Sequence, residues 1–406
     1  MLTKLSVKNF RLLRDVSIDI EPGKPIVLIG PNGSGKSSVL QVLDLLQRWV
    51  TEGLEKGLEV YGGVGAVIAA DADDMAIEVE LFSEKNNRLD YSATIGNSSK
   101  TVGGIPVVLV EGLYGRGEED ANPLWKLKRK ALSVALWEGR KETERELSFD
   151  DDHYRQLSFE ILSDPWSYPQ LSDVRRALKT IHVYTQFLST PLWARDSREG
   201  SLSVFDGVVV APAPRIDPRG LNLINALYHL QNNHHEAWVE LVGAFRAEFP
   251  FVQRLEFPAD PAGGRIALGW RDRRFPNVRM QGHQMSEGMT AYLCLLAAIL
   301  SPEPAAAIAF DEPDVHLHPS AMRRLVYLLE KASERTAVFV TTHSDRLLDF
   351  LSDPAGSLRV CEPKDGGVTV QSLDRGALDE WRKDYSLAEL RERGHLDSSN
   401  ASTAEL

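Results

Sequence analysis

The stretch Gly30-Pro31-Asn32-Gly33-Ser34-Gly35-Lys36-Ser37-Ser38 decides how this chain folds. It fits the pattern G-x-x-x-x-G-K-[ST], and its neighbours supply the context that pattern requires. KPIVLIG (24–30) runs apolar without alternation, as a strand covered on both faces does. After Lys36, residues Val39, Leu40, Leu43 and Leu46 recur at helical spacing. Glycines at 30, 33 and 35 let backbone N–H groups turn inward around an anion, and the following helix N-terminus adds partial positive charge. Lys36 is placed to neutralise β- and γ-phosphates, and the Ser37 hydroxyl to ligate Mg²⁺. The alternative is a Gly-rich turn that binds nothing.

Working outward, a nucleotide hydrolase needs carboxylates beside this loop. Asp311-Glu312 follows the buried-strand pattern AAAIAF (305–310). An acidic residue at the C-terminal end of a parallel strand lies beside the phosphate loop in doubly wound folds. Asp311 is therefore expected to hold Mg²⁺ through water, and Glu312 to orient and polarise the attacking water. His343, in TTHS, ends the next apolar strand, TAVFV (336–340), within reach of the γ-phosphate or that water. A structural hydrogen-bonding histidine is the alternative reading.

The whole chain bounds these readings. At 406 residues it has room for two to three domains with their own cores. Hydrophobic residues make up 43% and charged ones 26%, which excludes a mainly disordered, collagenous or membrane-spanning protein. A net charge of -12 excludes a uniformly basic nucleic-acid binder but leaves local basic patches open. Cys294 and Cys361 allow at most one disulfide, and Cys294, inside an apolar run, reads as a buried thiol. MLTKLSVKNF alternates apolar and polar residues and lacks the build of a signal peptide, and YLCLLAAIL is too short to span a bilayer. The expectation is a soluble, cytoplasmic protein with no membrane partner.

Strand-like alternation marks 2–10, the residues Val16, Ile18 and Ile20, and 75–82 and 89–95; helical spacing marks 221–249. Residues 125–146 are compatible with a helix carrying the basic run KLKRK (126–130). APAPRIDPRG (211–220) reads as a linker or fixed loop. The last third alternates strand and helix, which implies a parallel sheet. The acidic run DADD (71–74) reads as a polar turn. No heptad run long enough for a coiled-coil arm occurs.

The set resembles an ABC-type ATPase of the RecF/SMC/OLD-like branch, the bacterial group of predicted AAA-type ATPases. KNFRLLRDVSIDI (8–20) followed by GPNGSGKSS (30–38) resembles its opening with the Walker A loop. MSEGMTAYLCLLAAIL (285–300) resembles the signature helix, and FDEPDVHLHP (310–319) the Walker B strand and D-loop. VTTHS (340–344) resembles the switch histidine, and SLDRGALDEWRKDYSLAELRERG (372–394) the group's C-terminal ending. The resemblance implies an α/β P-loop NTPase: an ABC-ATPase head with a mixed, largely parallel sheet core, an antiparallel β subdomain and a mostly helical insertion. The implied division is 1–100 for the first part of the head, 101–280 for the insertion, 281–395 for the second part, and a disordered tail at 396–406.

The resemblance further implies ATP and Mg²⁺ as cofactors and a head-to-tail homodimer around two ATPs. In such a dimer Ser286 and Gly288 cap the γ-phosphate held by the opposite protomer, and Asp314 crosses the same interface. His316 and His318 belong to the branch's HLHP; metal ligation is the other reading, with no further ligand nearby in sequence. The family's glutamine after the strands that follow the phosphate loop has no counterpart, since none occurs between Gln47 and Gln156; YGGVGAV (61–67) is the stretch offered in its place.

Three functions compete. The first is an ATP-switched dimer in DNA maintenance or anti-phage defence, beside a partner effector such as a nuclease. The second is the nucleotide-binding subunit of a membrane transporter, disfavoured by the long interval from Lys36 to Ser286. The third is an SMC-like DNA tether, disfavoured by the missing arm. DNA itself is a candidate partner through Lys126, Lys128, Arg129, Arg271, Arg273, Arg274 and Arg279, the alternative being solvated charges.

Overall fold

The computed structural model describes residues 1–82, 88–98, 104–116, 124–138, 143–187, 207–260, 264–315, 317–364, 366–376, 378, 387 and 389. Two strands, β1 (Leu2–Phe10) and β2 (Leu13–Asp19), pair antiparallel and lead into β3 (Ile26–Ile29). The phosphate loop then opens α1 (Lys36–Thr51), followed by the short α2 (Leu54–Glu59) and α3 (Val64–Val67). Six strands continue the chain: β4 (Asp74–Phe82), β5 (Arg88–Asn97), β6 (Pro106–Arg116), β7 (Leu124–Lys130), β8 (Ser133–Glu138) and β9 (Thr143–Ser148). Each pairs antiparallel with the next.

Beyond them come α4 (Ser158–Ile161), α5 (Pro169–Lys179), β10 (Ile181–Tyr184) and β11 (Val208–Val209). Helices α6 (Leu223–Asn233) and α7 (His235–Glu248) precede the small strands β12 (Val252–Glu256), β13 (Ala259–Asp260), β14 (Arg265–Ile266), β15 (Gly269–Asp272) and β16 (Arg279–Gln281). The last third holds α8 (Glu287–Ile299), β17 (Ala307–Asp311), α9 (Pro319–Ser333), β18 (Ala337–Thr341), α10 (Asp345–Asp349), α11 (Pro354–Ser357), β19 (Leu358–Lys364) and β20 (Gly367–Ser372).

One 14-stranded sheet runs in the order β10-β17-β18-β3-β19-β20-β2-β1-β4-β5-β6-β7-β8-β9. Its first five strands are parallel; the meander from β4 to β9 is antiparallel. The two regions meet at β20 and β2 through the pair Leu13–Val368. The parallel strands explain their own composition, because both of their faces are buried. Val27, Ile29, Ile308, Phe310, Val338 and Val340 face a core completed by α6, α7, α8 and α9. Their neighbours Ile26, Leu28, Ala307, Ala309, Ala337 and Phe339 face the opposite core, with α1 and α5. Small alanines on that side let α1 lie close to β17. Each buried Leu or Ile contributes on the order of 1.5–3 kcal/mol over its exposed state. This doubly covered layer holds the loop before α1 and the end of β17 together at the C-terminal ends of the parallel strands.

Within 125–146 the described residues form β7, β8 and the start of β9, not a helix. Leu127 and Arg129 point inward and Lys128 and Lys130 outward, and Val134 and Leu136 repeat the alternation. A charged side chain at an inward position hid the period of two. The insertion is accordingly less helical than expected, its opening part from β6 to β9 being meander. Within 101–280, β10 is an edge strand of the parallel sheet, paired with β17, so this stretch supplies part of the head itself. Most of the C-terminal resemblance at 372–394, His316 and the expected tail at 396–406 lie outside the described residues. Cys294 and Cys361 are both buried and free, and burial pushes the Cys361 thiol up to about 12. Among the described residues no helix is long and apolar enough to cross a membrane.

Candidate nucleotide site

The loop from Gly30 to Gly35 turns between β3 and α1 on glycines that other residues could not replace. Gly30 has φ 148°, and a Cβ there would stand 2.2 Å from the Cys361 carbonyl oxygen and 2.6 Å from Ser34 Oγ. Gly35, at φ 80°, caps α1 and lies against Leu13 and Val368. Lys36 is buried, and its Nζ donates to the carbonyls of Gly30 and Pro31, both at 3.0 Å. The ammonium is thereby held inside the loop, where phosphate oxygens of an entering nucleotide would compete for it. Ser34 is fully buried, and its Oγ has no hydrogen-bond partner among the described residues. A buried hydroxyl left unpaired in a loop of inward N–H groups suits a phosphate ligand.

Parallel pairing of β17 with β18, and of β18 with β3, brings the carboxylate pair to this loop. Ser37 Oγ donates to Asp311 Oδ1 at 3.3 Å across 274 residues of sequence. Thr341 Oγ1 donates to the same oxygen at 2.5 Å, which fixes the carboxylate toward Ser37. Two hard oxygen donors facing each other beside a phosphate loop fit Mg²⁺, whose other positions go to water and phosphate. Glu312 follows with φ 51°, a left-handed conformation that costs a non-glycine residue of order 1 kcal/mol or more. Its N–H donates to both the carbonyl and Oγ1 of Thr341, at 3.1 and 3.0 Å, which holds the strained residue in place. Its carboxylate is exposed, with Oε1 3.7 Å from His343 Nε2. The phosphate loop, the carboxylate pair and the histidine are thus brought to the ends of β3, β17 and β18.

The AAA ATPase domain profile matches residues 1–168. An AAA-domain profile named for the AbiEii toxin of type IV toxin–antitoxin systems matches residues 264–349. Both matches are to AAA-type ATPase domains, and with the relatives and the solved structure below they support an ABC/AAA-type ATPase of the RecF/SMC/OLD type. Among curated relatives, the OLD nuclease of Thermus scotoductus is 48% identical over 46 residues, which cover 11% of this ATPase and 8% of that protein. The hemin import ATP-binding protein HmuV of Agrobacterium fabrum is 64% identical over 33 residues, covering 8% of this chain and 13% of the relative. This chain spans less than half the length of these curated relatives. Its fold is that of an SMC head. The SMC head crystallised with the C-winged helix domain of ScpA superimposes with a TM-score of 0.52 at 17% identity, covering 93% of this chain and 99% of that one.

The other expected site residues are Ser286, Gly288 and Asp314. Ser286 is exposed and caps α8, its Oγ accepting from Met289 N at 3.3 Å; Gly288 follows in the first turn. The hydrogen bonds of Ser286 stay within α8 and do not reach the loop of its own chain. Asp314 is half-buried and accepts from Thr342 Oγ1 at 2.8 Å. Burial pushes its carboxyl above the usual range, against the opposing hydrogen bond.

Sequence reasoning missed Gln186. It is exposed on the loop just after β10 and lines one cleft with Asp311, Glu312 and Glu287. The stretch 61–67 takes no such place. Tyr61 OH donates to Asp44 on α1 at 2.5 Å, Arg11 N donates to the Val67 carbonyl, and Val64 and Val67 are buried. The missed signal was the apolar run IHVY just before Gln186, too short to stand out as a strand.

The basic candidates for nucleic acid divide sharply. Arg129 is 1% exposed and pairs with Glu111 inside the meander, so it cannot reach DNA. Arg271, Arg279 and Arg254 all pair with Glu256, and Arg274 with Asp272, which cancels much of that cluster's field. Arg273 and Lys128 are exposed and Lys126 is half-buried.

Proposed function

We propose that the chain hydrolyses ATP within a head-to-tail homodimer and uses the cycle to switch a partner. The observation that carries this reading is the meeting of Ser37 with Asp311 at 3.3 Å, with Glu312 and His343 3.7 Å apart on the same strand ends. Ser37 and Asp311 would hold Mg²⁺, which neutralises charge on the β- and γ-phosphate oxygens. Backbone N–H groups of 30–38 cradle the phosphates, and Lys36 exchanges its two carbonyls for phosphate oxygens. Glu312 takes the proton of a water whose oxygen bonds to the γ-phosphorus as the bond to the bridging oxygen breaks. His343 contacts the γ-phosphate, and Gln186 takes the position that reports on metal and water. Ser286 and Gly288 present free N–H groups on an exposed helix N-terminus to the γ-phosphate of the second protomer, with Asp314 beside that interface.

We further propose DNA maintenance or anti-phage defence, with a partner effector such as a nuclease. The likenesses to an OLD nuclease and to a toxin-named profile support this setting, and the solved SMC head carries a winged-helix partner. DNA would be touched by Lys126, Lys128 and Arg273, with affinity falling steeply as salt rises. The hemin-import likeness favours a transporter subunit over only 33 residues.

The test is Glu312→Gln. It should bind ATP with Mg²⁺, lose about 10²–10⁴-fold in turnover, and persist as a dimer in light scattering. Wild-type turnover in this variant removes Glu312 as the base. A monomer at saturating ATP removes the sandwich.

A further inference from the structure

We propose that His229, His234 and Glu303 form a binding site for a zinc-class divalent cation, apart from the nucleotide site. One donor atom from each of the three lies within 4.8 Å of the other two. The local fold explains the convergence. His229 stands in the last turn but one of α6, which ends at Asn233; His234 follows at φ −137° and ψ 67°. That departure from helical geometry folds its ring back over His229, with ring centroids 5.2 Å apart. Glu303 arrives from the connection between α8 and β17, between Pro302 and Pro304. Arg215 anchors that connection by donating to the carbonyls of Ala298 at 3.1 Å and Glu303 at 2.5 Å.

The chemistry of the three groups is specific. His229 Nε2 is buried and has no hydrogen-bond partner among the described residues. An imidazole nitrogen shielded from water and left unpaired offers its lone pair to a metal once the ring proton sits on Nδ1. Two imidazoles and one carboxylate are a donor set of zinc sites that keep a fourth, water-accessible position, and Glu303 is exposed. Tetrahedral bonds of about 2.0–2.2 Å put donors roughly 3.4 Å apart, a closure that side-chain rotation supplies. His229 Nδ1 lies 3.0 Å from the Asn233 side-chain amide. With the metal on Nε2 the Nδ1–H must donate, so Asn233 turns its Oδ1 to accept and orients the ring. The ion would tie the α6–α7 corner to the entrance of β17, at the opposite end of that strand from Asp311.

The full chain, stripped with chelator and titrated with Co²⁺, should show the visible bands of a tetrahedral site at one equivalent, and Zn²⁺ should displace them and raise the melting temperature. His229→Ala and His234→Gln should each abolish the bands. Asn233→Ala should weaken binding about 10- to 100-fold. Asp311→Asn should leave the bands unchanged, which separates this site from the Mg²⁺ position. Should the histidine variants fail to fold, Glu303→Gln on the exposed loop carries the same test. Absence of bands in the wild-type chain overturns the proposal, as does their survival in His229→Ala or Glu303→Gln.

Discussion

Lys36 carries a full positive charge drawn into the phosphate loop, and two carbonyls hold it there. Lys36→Ala should therefore cost nucleotide affinity rather than fold. Each hydrogen bond to a charged group is worth about 1.5–3 kcal/mol, so titration calorimetry should show ATP binding weakened at least tenfold, with an unchanged unfolding midpoint. Equal affinity would show that backbone N–H groups alone hold the phosphates. His182, on β10, makes a separate prediction. Burial first, then the nearby Arg215 charge, lowers its folded pKa from 6.5 to about 4. The unfolded chain thus binds the extra proton between pH 6.5 and 4, so stability is complete above that window and falls as pH drops through it. The slope reaches about 1.4 kcal/mol per pH unit. Urea midpoints should show it, and His182→Gln should remove that share.

At the scale of elements, the meander is pinned by one buried polar cluster. Glu111 on β6 accepts from Tyr91 OH at 2.7 Å, from Ser158 N and Oγ, and from Arg129 at 3.5 Å. Arg129 also donates to the carbonyls of Ala131, Gln156 and His153 and lies over the Phe149 ring. These bonds tie three strands to α4 and the turn before it. Arg129→Met should destabilise the chain by about 3–5 kcal/mol, because Glu111 would keep a buried charge without its partner. Adding Glu111→Gln should recover part of that loss in urea unfolding. DNA binding, if measured, should be unaffected by Arg129 except through stability. The same cluster explains why 125–146 was misread: its inward positions are not uniformly apolar, so neither the helical nor the strand period stands out. The parallel strands were legible because burial on both faces leaves them unbroken runs of Val, Ile, Ala and Phe.

For the whole molecule, the proposed sandwich assigns each nucleotide a loop from one copy and a signature helix from the other. Lys36→Ala and Ser286→Arg should each be inactive alone. Mixed in equal amounts, half of the dimers would be mixed and each would hold one intact composite site, so activity should return to about a quarter of wild type. No recovery in a steady-state ATPase assay would place both residues in the same protomer's site. The phosphate loop, the Asp311-Glu312 pair and His343 could be read directly because each sits where a buried strand stops, a local event written in a few residues. Gln186 could not, since its place depends on β10 reaching the edge beside β17 from a distant part of the chain.

The order of these motifs, and the apolar strands that carry them, were determined by the amino-acid sequence alone, since backbone reversal at glycine and burial on two faces are properties of short segments. Only the tertiary structure decided which side chains meet. Register between strands hundreds of residues apart set Ser37 against Asp311, and pairing of the neighbouring strands β6 and β7 buried Arg129 on Glu111. It also gathered two histidines and a glutamate at a corner no spacing rule describes. Such contacts arise from packing whole layers together, and no local pattern of residues encodes them.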